Sequence, residues 1–456
     1  MENKVPVKMG GEYELQIESL THDGLGIGRV SGFLVFVHDA LPGEFVVAKV
    51  TQTKKKYAHA IVVKHIHKSE NRVEPPCPIF EKCGGCQIQH MDYKAQLEFK
   101  TALVSSNLKK IAKLENPPVL DTIGMENPLR YRNKTQIPFS RQDGKVVAGF
   151  YEGRSHHIVD MDSCLAQTEE ADAIINMMKQ LCEELGIFPY DERSHAGILR
   201  HVVVRTGFNT GEIMIILVTK TCDLPNQMAL VKRLKAEFPK IVSVAHNINP
   251  RKTNVIFGDE TCIIYGKPYF KDTLDGIKFL ISPRSFYQVN PIQTEVLYNK
   301  VVEFAAIAPT DVVFDAYCGI GTITLFLARH AGHVFGVEII PEAIQDANKN
   351  AELNAITNVT FECGKSEEIL VKKLKSGEKP DVVVVDPPRK GLAPEFVDAI
   401  IKARPPKLIY VSCDSSTLAR DVKLLVEGGY ELEIVQPVDM FCHSSHVECV
   451  ALMSRK

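Results

Sequence analysis

The stretch FDAYCGIGTITLFLARHAGHVFGVE, residues 314–338, decides the fold of this 456-residue chain. An apolar run closes on Asp315, a tight Gly319-x-Gly321 turn follows, and a helical pattern runs to about Arg329. A second apolar run then ends in Glu338, 19 residues after Gly319. Glycines at such a strand-to-helix turn let the backbone approach a ligand, and a carboxylate ending the next strand can hold ribose hydroxyls. A dinucleotide fingerprint wants a third glycine where this chain has Thr324. An acid before the turn and no third glycine suit S-adenosylmethionine (SAM), which has no pyrophosphate to cradle.

The surrounding runs VVFDAY, HVFGVE, VTFECG, DVVVVDPP, KLIYVSC and YELEIVQPVDMF alternate with helical patterns and are continuously apolar. Such strands are buried on both faces, so residues 286–456 are expected to form a doubly wound, Rossmann-like α/β domain. Ligands bind at the carboxyl ends of these strands, where Asp386 and Cys413 both fall. Methylases of exocyclic amines commonly carry an aromatic residue after Pro-Pro, but here Arg389 follows. A cysteine at that edge suits another acceptor. C5 of a pyrimidine is a poor nucleophile until a thiolate adds to C6, and a base must then remove the C5 proton so that the thiolate can leave. The segment DMFCHSSHVECVAL offers Glu448, His446 and His443 as that base. A zinc ion on the two histidines would lack an evident third ligand.

Upstream, residues 1–67 hold short apolar or alternating runs separated by the turn-rich THDGLGIGRVSG and HDALPG. Four or five short strands of this size predict a small OB-like β-barrel, often a nucleic-acid grip. Residues 68–285 carry a cysteine motif, then helical patterns (TALVSSNLKKIAK, EEADAIINMMKQLCEELG) alternating with strands (KTQIPFS, KVVAGFYE, LRHVVVRTGF, GEIMIILVTK, IVSVAHNIN), an α+β domain. Three domains suit the length. A composition of 45% apolar and 24% charged residues excludes a disordered or fibrous chain. No run approaches the ~20 apolar residues of a membrane span, and no secretory h-region is visible. A cytoplasmic protein with no membrane partner is expected.

The net charge of -2 is unevenly spread, with 16 Lys/Arg against 21 Asp/Glu from Asp311 onward. Residues 49–72 hold seven Lys/Arg against one acid, and Arg130, Arg132, Lys134, Arg141, Lys145 and Arg154 form a second basic run. Basic stripes suit a phosphate backbone, although a single charge run is more often a solvated face. Twelve cysteines without a signal segment do not read as a disulfide framework. Cys77, Cys83 and Cys86 stand at C-x5-C-x2-C spacing, with Gly84 and Gly85 between the last two, and Cys164 is the best fourth ligand. Thiolates that close repel one another without a metal. Four suit zinc or a cubane iron–sulfur cluster; zinc ribbons more often pair two C-x2-C halves, so the spacing leans to iron–sulfur.

At these residues the chain, over essentially its whole length, closely resembles the RNA uridine C5-methyltransferase family, in the branch that joins a TRAM domain, an iron–sulfur cluster and a Rossmann-like methyltransferase domain. The resemblance implies a [4Fe-4S] cluster on Cys77, Cys83, Cys86 and Cys164. It implies SAM contacts from Gln288 in SFYQVNP, Tyr317 in DAYCGIG, Glu338 in GVE and Asp386 in DPPRKGL. It makes Cys413 in YVSCD the nucleophile and Glu448 in HVE the base. YRNKTQIPF, residues 131–139, looks like the family's central-domain signature. A target base must be flipped out, and Phe286 or Tyr287 would offer it a stacking face. The implied partner is RNA, foremost 23S rRNA, because TRAM plus cluster resembles the ribosomal branch; the branch acting on the tRNA T loop often lacks both. A non-catalytic RNA-binding or assembly factor is the alternative class, and intact Cys413, Asp386 and Glu448 argue against it. The chain departs from the family at Asp414, where Asn is frequent, and at Cys442 and Ser444, where Pro-x-Thr often precedes HVE. An inward-pointing Asp414 would raise the pKa of the Cys413 thiol.

Overall fold

The computed structural model describes residues 5–153 and 155–456, so Arg154 of the second basic run lies outside the described residues. Strands β1 (Glu12–Leu20), β2 (Gly26–Val30), β3 (Phe33–His38), β4 (Phe45–Thr53) and β5 (Tyr57–His67) close into a barrel in the order β1-β2-β3-β5-β4. Period-two alternation drives the closure: Leu15, Ile17, Val35, Val37, Val46, Ala48 and Val50 all turn inward and are buried. Lys49, Lys54, Lys55, Lys56, Lys64 and Lys68 stand exposed. Arg72 does not join this basic face. Its guanidinium donates to both oxygens of buried Glu44, at 2.5 and 3.0 Å, and to Asp39, riveting the barrel to the next loop. Burial alone would raise the Glu44 pKa, but the Arg72 hydrogen bond and the Leu41 N–H outweigh it and hold the carboxyl below its ordinary value.

Helix α1 (Tyr93–Lys110) follows, started by the Asp92 side chain, which accepts from Lys94 N at 3.0 Å. Next come β6 (Lys134–Gln142), β7 (Lys145–Ala148), α2 (Glu169–Glu184), β8 (Leu199–Thr206), β9 (Ile213–Thr219), α3 (Gln227–Glu237), β10 (Ile241–Ile248) and β11 (Glu260–Gly266). The six strands form one sheet, β11-β10-β9-β8-β6-β7. Ile174, Ile175, Met178 and Leu181 share one stripe of α2 and pack on Val202, Val204, Ile215 and Leu217. The opposite face, with Val203, Met214, Ile216 and Val218, packs on the hairpin β12 (Phe270–Leu274) and β13 (Ile277–Ile281) and onward into the C-terminal core. Helix α1 lies in the 68–285 stretch, yet its Val104 and Leu108 pack with Phe314, Leu418 and Val422 of the C-terminal domain.

That domain runs α4 (Pro291–Ala305), β14 (Val312–Ala316), α5 (Thr322–Ala328), β15 (His333–Glu338), α6 (Pro341–Leu353), β16 (Val359–Cys363), α7 (Ser366–Lys375), β17 (Val382–Val385), α8 (Pro394–Ala403), β18 (Lys407–Ser412), α9 (Ser415–Glu427), β19 (Tyr430–Val438) and β20 (Glu448–Arg455). The sheet order is β16-β15-β14-β17-β18-β20-β19, with β20 antiparallel to both neighbours. The order reverses between β14 and β17, the switch point at which such sheets bind ligands. Among the described residues no helix is long and apolar enough to cross a membrane.

Candidate active site and cysteine cavity

The residues expected to carry chemistry gather at the carboxyl edge of the C-terminal sheet. Tyr317 follows β14, Glu338 ends β15, Asp386 follows β17, Cys413 follows β18 and Glu448 opens β20. Register decides who meets whom. Ala316 pairs with Val385, so Tyr317 and Asp386 flank the switch point. The last rung between β18 and β20 joins Ser412 to Cys449, which puts Cys413 and Glu448 at the next position across the ladder.

The turn after β14 is left-handed at Tyr317 (φ 66), Gly319 (φ 56) and Gly321 (φ 82). A Cβ on Gly319 would meet nothing within 4 Å, whereas one on Gly321 would press on the Phe361 ring at 3.0 Å. Gly319 is thus required by conformation and Gly321 by conformation and packing. The N–H groups of Gly319 and Ile340 donate to the two Glu338 oxygens at 3.3 and 3.0 Å, aiming that carboxylate across the turn. Ile339 and Ile340 beside it are exposed, an apolar ledge that the sequence reading passed over. Gln288 is buried, and its carbonyl accepts from Asn133 Nδ2 at 2.9 Å, so the 131–139 signature buttresses the SFYQ segment. Of the two stacking candidates, Tyr287 is core and donates to Asp272, while Phe286 is 62% exposed.

Electrostatically the edge is crowded with acid. Burial pushes Asp315 up to about 7 and Asp386 up to about 7. Burial and the Asp386 charge push Glu448 up to about 8, with Arg389 opposing. Burial, then Glu448 and Asp386, push the Cys413 thiol up to about 12, again with Arg389 opposing. Thr324, which stands in place of the third glycine, donates to Asp315 at 2.5 Å. A pocket so short of positive charge favours a cationic ligand such as a sulfonium.

Cys77, Cys83, Cys86 and Cys164 are all free and half-buried, and they line a single cavity with Tyr131 and Arg132 in its wall. Burial and then the neighbouring thiols Cys164, Cys83 and Cys77 drive Cys86 up to about 12, while Arg132 pulls it down. Among the described residues no group of three His, Cys, Asp or Glu side chains is placed to hold a metal ion, neither here nor at His443 and His446. In the second basic run Arg141 and Lys145 are exposed, but Arg130, Arg132 and Lys134 are not. Arg130, at φ 56, turns its guanidinium inward to Asp172 (2.5 Å) and the carbonyls of Cys164 and Gln167. Arg132 lines the cysteine cavity, and Lys134 is half-buried, its pKa lowered to about 8 by burial and the charges of Arg205 and Arg132.

Residues 92–456 match the tRNA (Uracil-5-)-methyltransferase family, and residues 6–63 match the TRAM domain. The chain belongs to this methyltransferase family. An uncharacterized RNA methyltransferase of Halalkalibacterium halodurans is 50% identical over 453 residues, 99% of each chain. One from Listeria innocua is 48% identical, again over 99% of each. The crystal structure of the Pyrococcus abyssi tRNA (uracil-54, C5)-methyltransferase in complex with S-adenosyl-L-homocysteine is similar with a TM-score of 0.77 and 29% identity, over 97% of this chain and 100% of that one. The protein is an enzyme of the SAM-dependent RNA uracil-5-methyltransferases, with a TRAM barrel for RNA.

Within this methyltransferase, two expectations change. Asp414 does not point at the thiol: its carboxylate caps α9, accepting from Ser416 N and Thr417 N at 2.9 and 3.1 Å. His443 is sequestered, with Nδ1 against Gln96 Nε2 at 3.2 Å, and burial lowers its pKa to about 4. Cys442, where the family often has proline, is buried between Tyr93 and Met125. Arg389, read from sequence only as a missing aromatic, is the cation whose field reaches Cys413 and Glu448.

Proposed function

We propose that the enzyme methylates C5 of a uridine in RNA, with large-subunit 23S rRNA as its substrate in the cytoplasm. The observation that carries this reading is Cys413 and Glu448 side by side at the carboxyl edge, next to Asp386. In this reading Cys413 adds to C6 of a flipped-out uridine, forming the C6–S bond and placing the electron pair at C5. SAM, when bound, supplies the methyl group that C5 takes. Glu448 then accepts the C5 proton, the electron pair re-forms the C5–C6 double bond, and the C6–S bond breaks. Arg389 favours the Cys413 thiolate, as does any positive charge entering the acidic pocket. Gln288, Tyr317, Glu338 and Asp386 hold the cofactor, with Glu338 on the ribose hydroxyls. Phe286 offers its exposed ring to the extruded base.

The reading includes a [4Fe-4S] cluster on Cys77, Cys83, Cys86 and Cys164. Four free thiols around one cavity support it, and a cubane spreads its ligands more widely than one ion does. The cluster would cross-link these loops, and no step of the reaction passes through it. Residues 1–67, 68–285 and 286–456 remain the working domains, with α1 as the central stretch's buttress on the methyltransferase core. The tRNA T loop is the second substrate reading, favoured by the similarity to an enzyme named for uracil-54 of tRNA. Labelled SAM, anaerobically purified protein and unmodified 23S rRNA and tRNA transcripts separate the two. 5-Methyluridine mapped to rRNA supports the first reading, 5-methyluridine in tRNA the second, and label on neither, with SAM bound, overturns both.

A further inference from the structure

The loop between β19 and β20 carries the chain from Val438 to Glu448. The His443 carbonyl accepts two backbone N–H groups, from Gln87 and Ile88, each at 3.1 Å. These residues directly follow Cys86. The neighbouring Cys442 carbonyl accepts from the Tyr131 hydroxyl at 3.1 Å, and Tyr131 lines the cysteine cavity. Two adjacent carbonyls of the loop are therefore held by Tyr131 of the cavity wall and by Gln87 and Ile88, which lie between the wall residues Cys86 and Gln89. His443 itself stands at φ 64, a conformation a non-glycine residue keeps only where its surroundings impose it.

The far side of the brace is equally firm. Ile88 is fully buried against Leu20 and Leu41 of the barrel and Met91 and Ala95 at the start of α1. Helix α1 reaches the same loop through Gln96, which meets the His443 ring, and through Lys100, fully buried and paired with buried Asp439 at 2.5 Å. Tyr93 donates to the other Asp439 oxygen at 2.8 Å.

We propose that the cysteine cavity positions the base: Gln87, Ile88 and Tyr131 hold the Cys442 and His443 carbonyls and so fix Glu448 opposite Cys413. This inference rests on Glu448 acting as the base. It gives the cysteine motif a task in the reaction that needs no electron transfer. It also says which half of the reaction depends on the motif. Addition of Cys413 and methyl transfer use the edge of the parallel strands, which the brace does not touch. Removal of the C5 proton and release of the C6–S bond depend on Glu448, which it does. Gln87, Ile88 and Tyr131 are positioning residues, since they act through the loop carbonyls they hold.

The test uses the full-length protein and two variants, Tyr131→Phe and Gln96→Met, each deleting one side-chain hydrogen bond to the loop while keeping its volume. Two quantities are read: deuterium uptake by the amides of residues 441–448, and the ratio of denaturant-resistant protein–RNA adduct to released methylated RNA. Each variant is expected to raise uptake in that segment and to slow product release by about tenfold, the usual worth of one such bond. Adduct accumulates while SAM affinity and KM for RNA stay as in the parent. Unchanged uptake in both variants overturns the brace. So does faster uptake with adduct and product falling together, because that marks general loosening. Glu448→Gln in the same assay isolates the premise. If it builds no adduct, the base assignment fails; if it does while the two variants do not, only the brace fails.

Discussion

Two crowded groups of acids sit in this molecule, three carboxyls at the sheet edge and four thiols in the cysteine cavity, and burial pushes the three carboxyls and the thiols of Cys83, Cys86 and Cys164 toward their neutral forms. Asp386 and Glu448 rise to about 7 and 8, and Cys86 to about 12. The acidic edge favours a cationic ligand such as a sulfonium, and the proposed cluster would supply the positive charge in the cavity. They differ in what positions them. The carboxyls hang on strand ends, where the hydrogen-bond ladder fixes every residue to within one rung. The thiols hang on loops, positioned by glycine turns and by contacts from far along the chain. The sheet edge should therefore survive loss of any one ligand, and the cavity should not.

The largest expected effect lies at the edge and is purely chemical. Cys413→Ala should cut methyl transfer by on the order of 10³-fold or more while leaving the melting temperature and SAM affinity unchanged. Retained turnover measured with labelled SAM would remove Cys413 from the reaction. In the cavity the same kind of change should be structural. Cys83→Ala is expected to lower the melting temperature by roughly 5 °C and to weaken RNA binding. Cys222→Ala, at an exposed free cysteine, should do neither. Equal melting curves for the two would break the contrast.

The same difference explains what the sequence disclosed. Glu338, Asp386 and Cys413 could be placed at the sheet edge from sequence because a continuous apolar run states where a strand ends, and the end is where ligands bind; Tyr317 was named only by the family resemblance. β20 escaped because HVECVAL was read for its chemistry, although Cys449, Val450 and Ala451 are the fully buried filling between β18 and β19. Arg389 escaped because its field on Cys413 depends on two strands being neighbours. In the second basic run sequence proximity says nothing of direction: Arg130 turns inward to Asp172 and Arg132 lines the cysteine cavity, while Arg141 and Lys145 stay exposed. The loop brace is written almost entirely in backbone carbonyls, which no residue pattern can show.

A smaller effect concerns pH. Below about pH 7 Asp386 and Glu448 are largely protonated and the pocket is close to neutral; above about pH 8 both are ionised. A sulfonium should gain from that charge and a thioether should not. Affinity for SAM is expected to rise by about tenfold between pH 6 and pH 9, with affinity for S-adenosylhomocysteine nearly flat, as titration calorimetry would show. Parallel curves for the two ligands would mean that these carboxyls do not face the sulfur. Arg389→Ala should move the alkaline rise in turnover to higher pH, since the thiol loses the cation that opposes Glu448 and Asp386.

The smallest effect is expected at Asp414, next to the nucleophile yet turned away from it. The carboxylate oxygen that accepts from Ser416 N and Thr417 N also takes the Ser416 hydroxyl, at 2.5 Å. Burial opposes ionisation there, but these hydrogen bonds outweigh it and hold the carboxyl below its ordinary value. Asparagine offers the same cap with no charge. Asp414→Asn should leave the pH–rate profile superimposable on that of the parent, whereas Asp414→Ala should lose about 1 kcal/mol of stability through the uncapped α9. A shifted profile for Asp414→Asn would show that the charge reaches Cys413 after all, and that a residue one position beyond a strand end is not insulated by its cap.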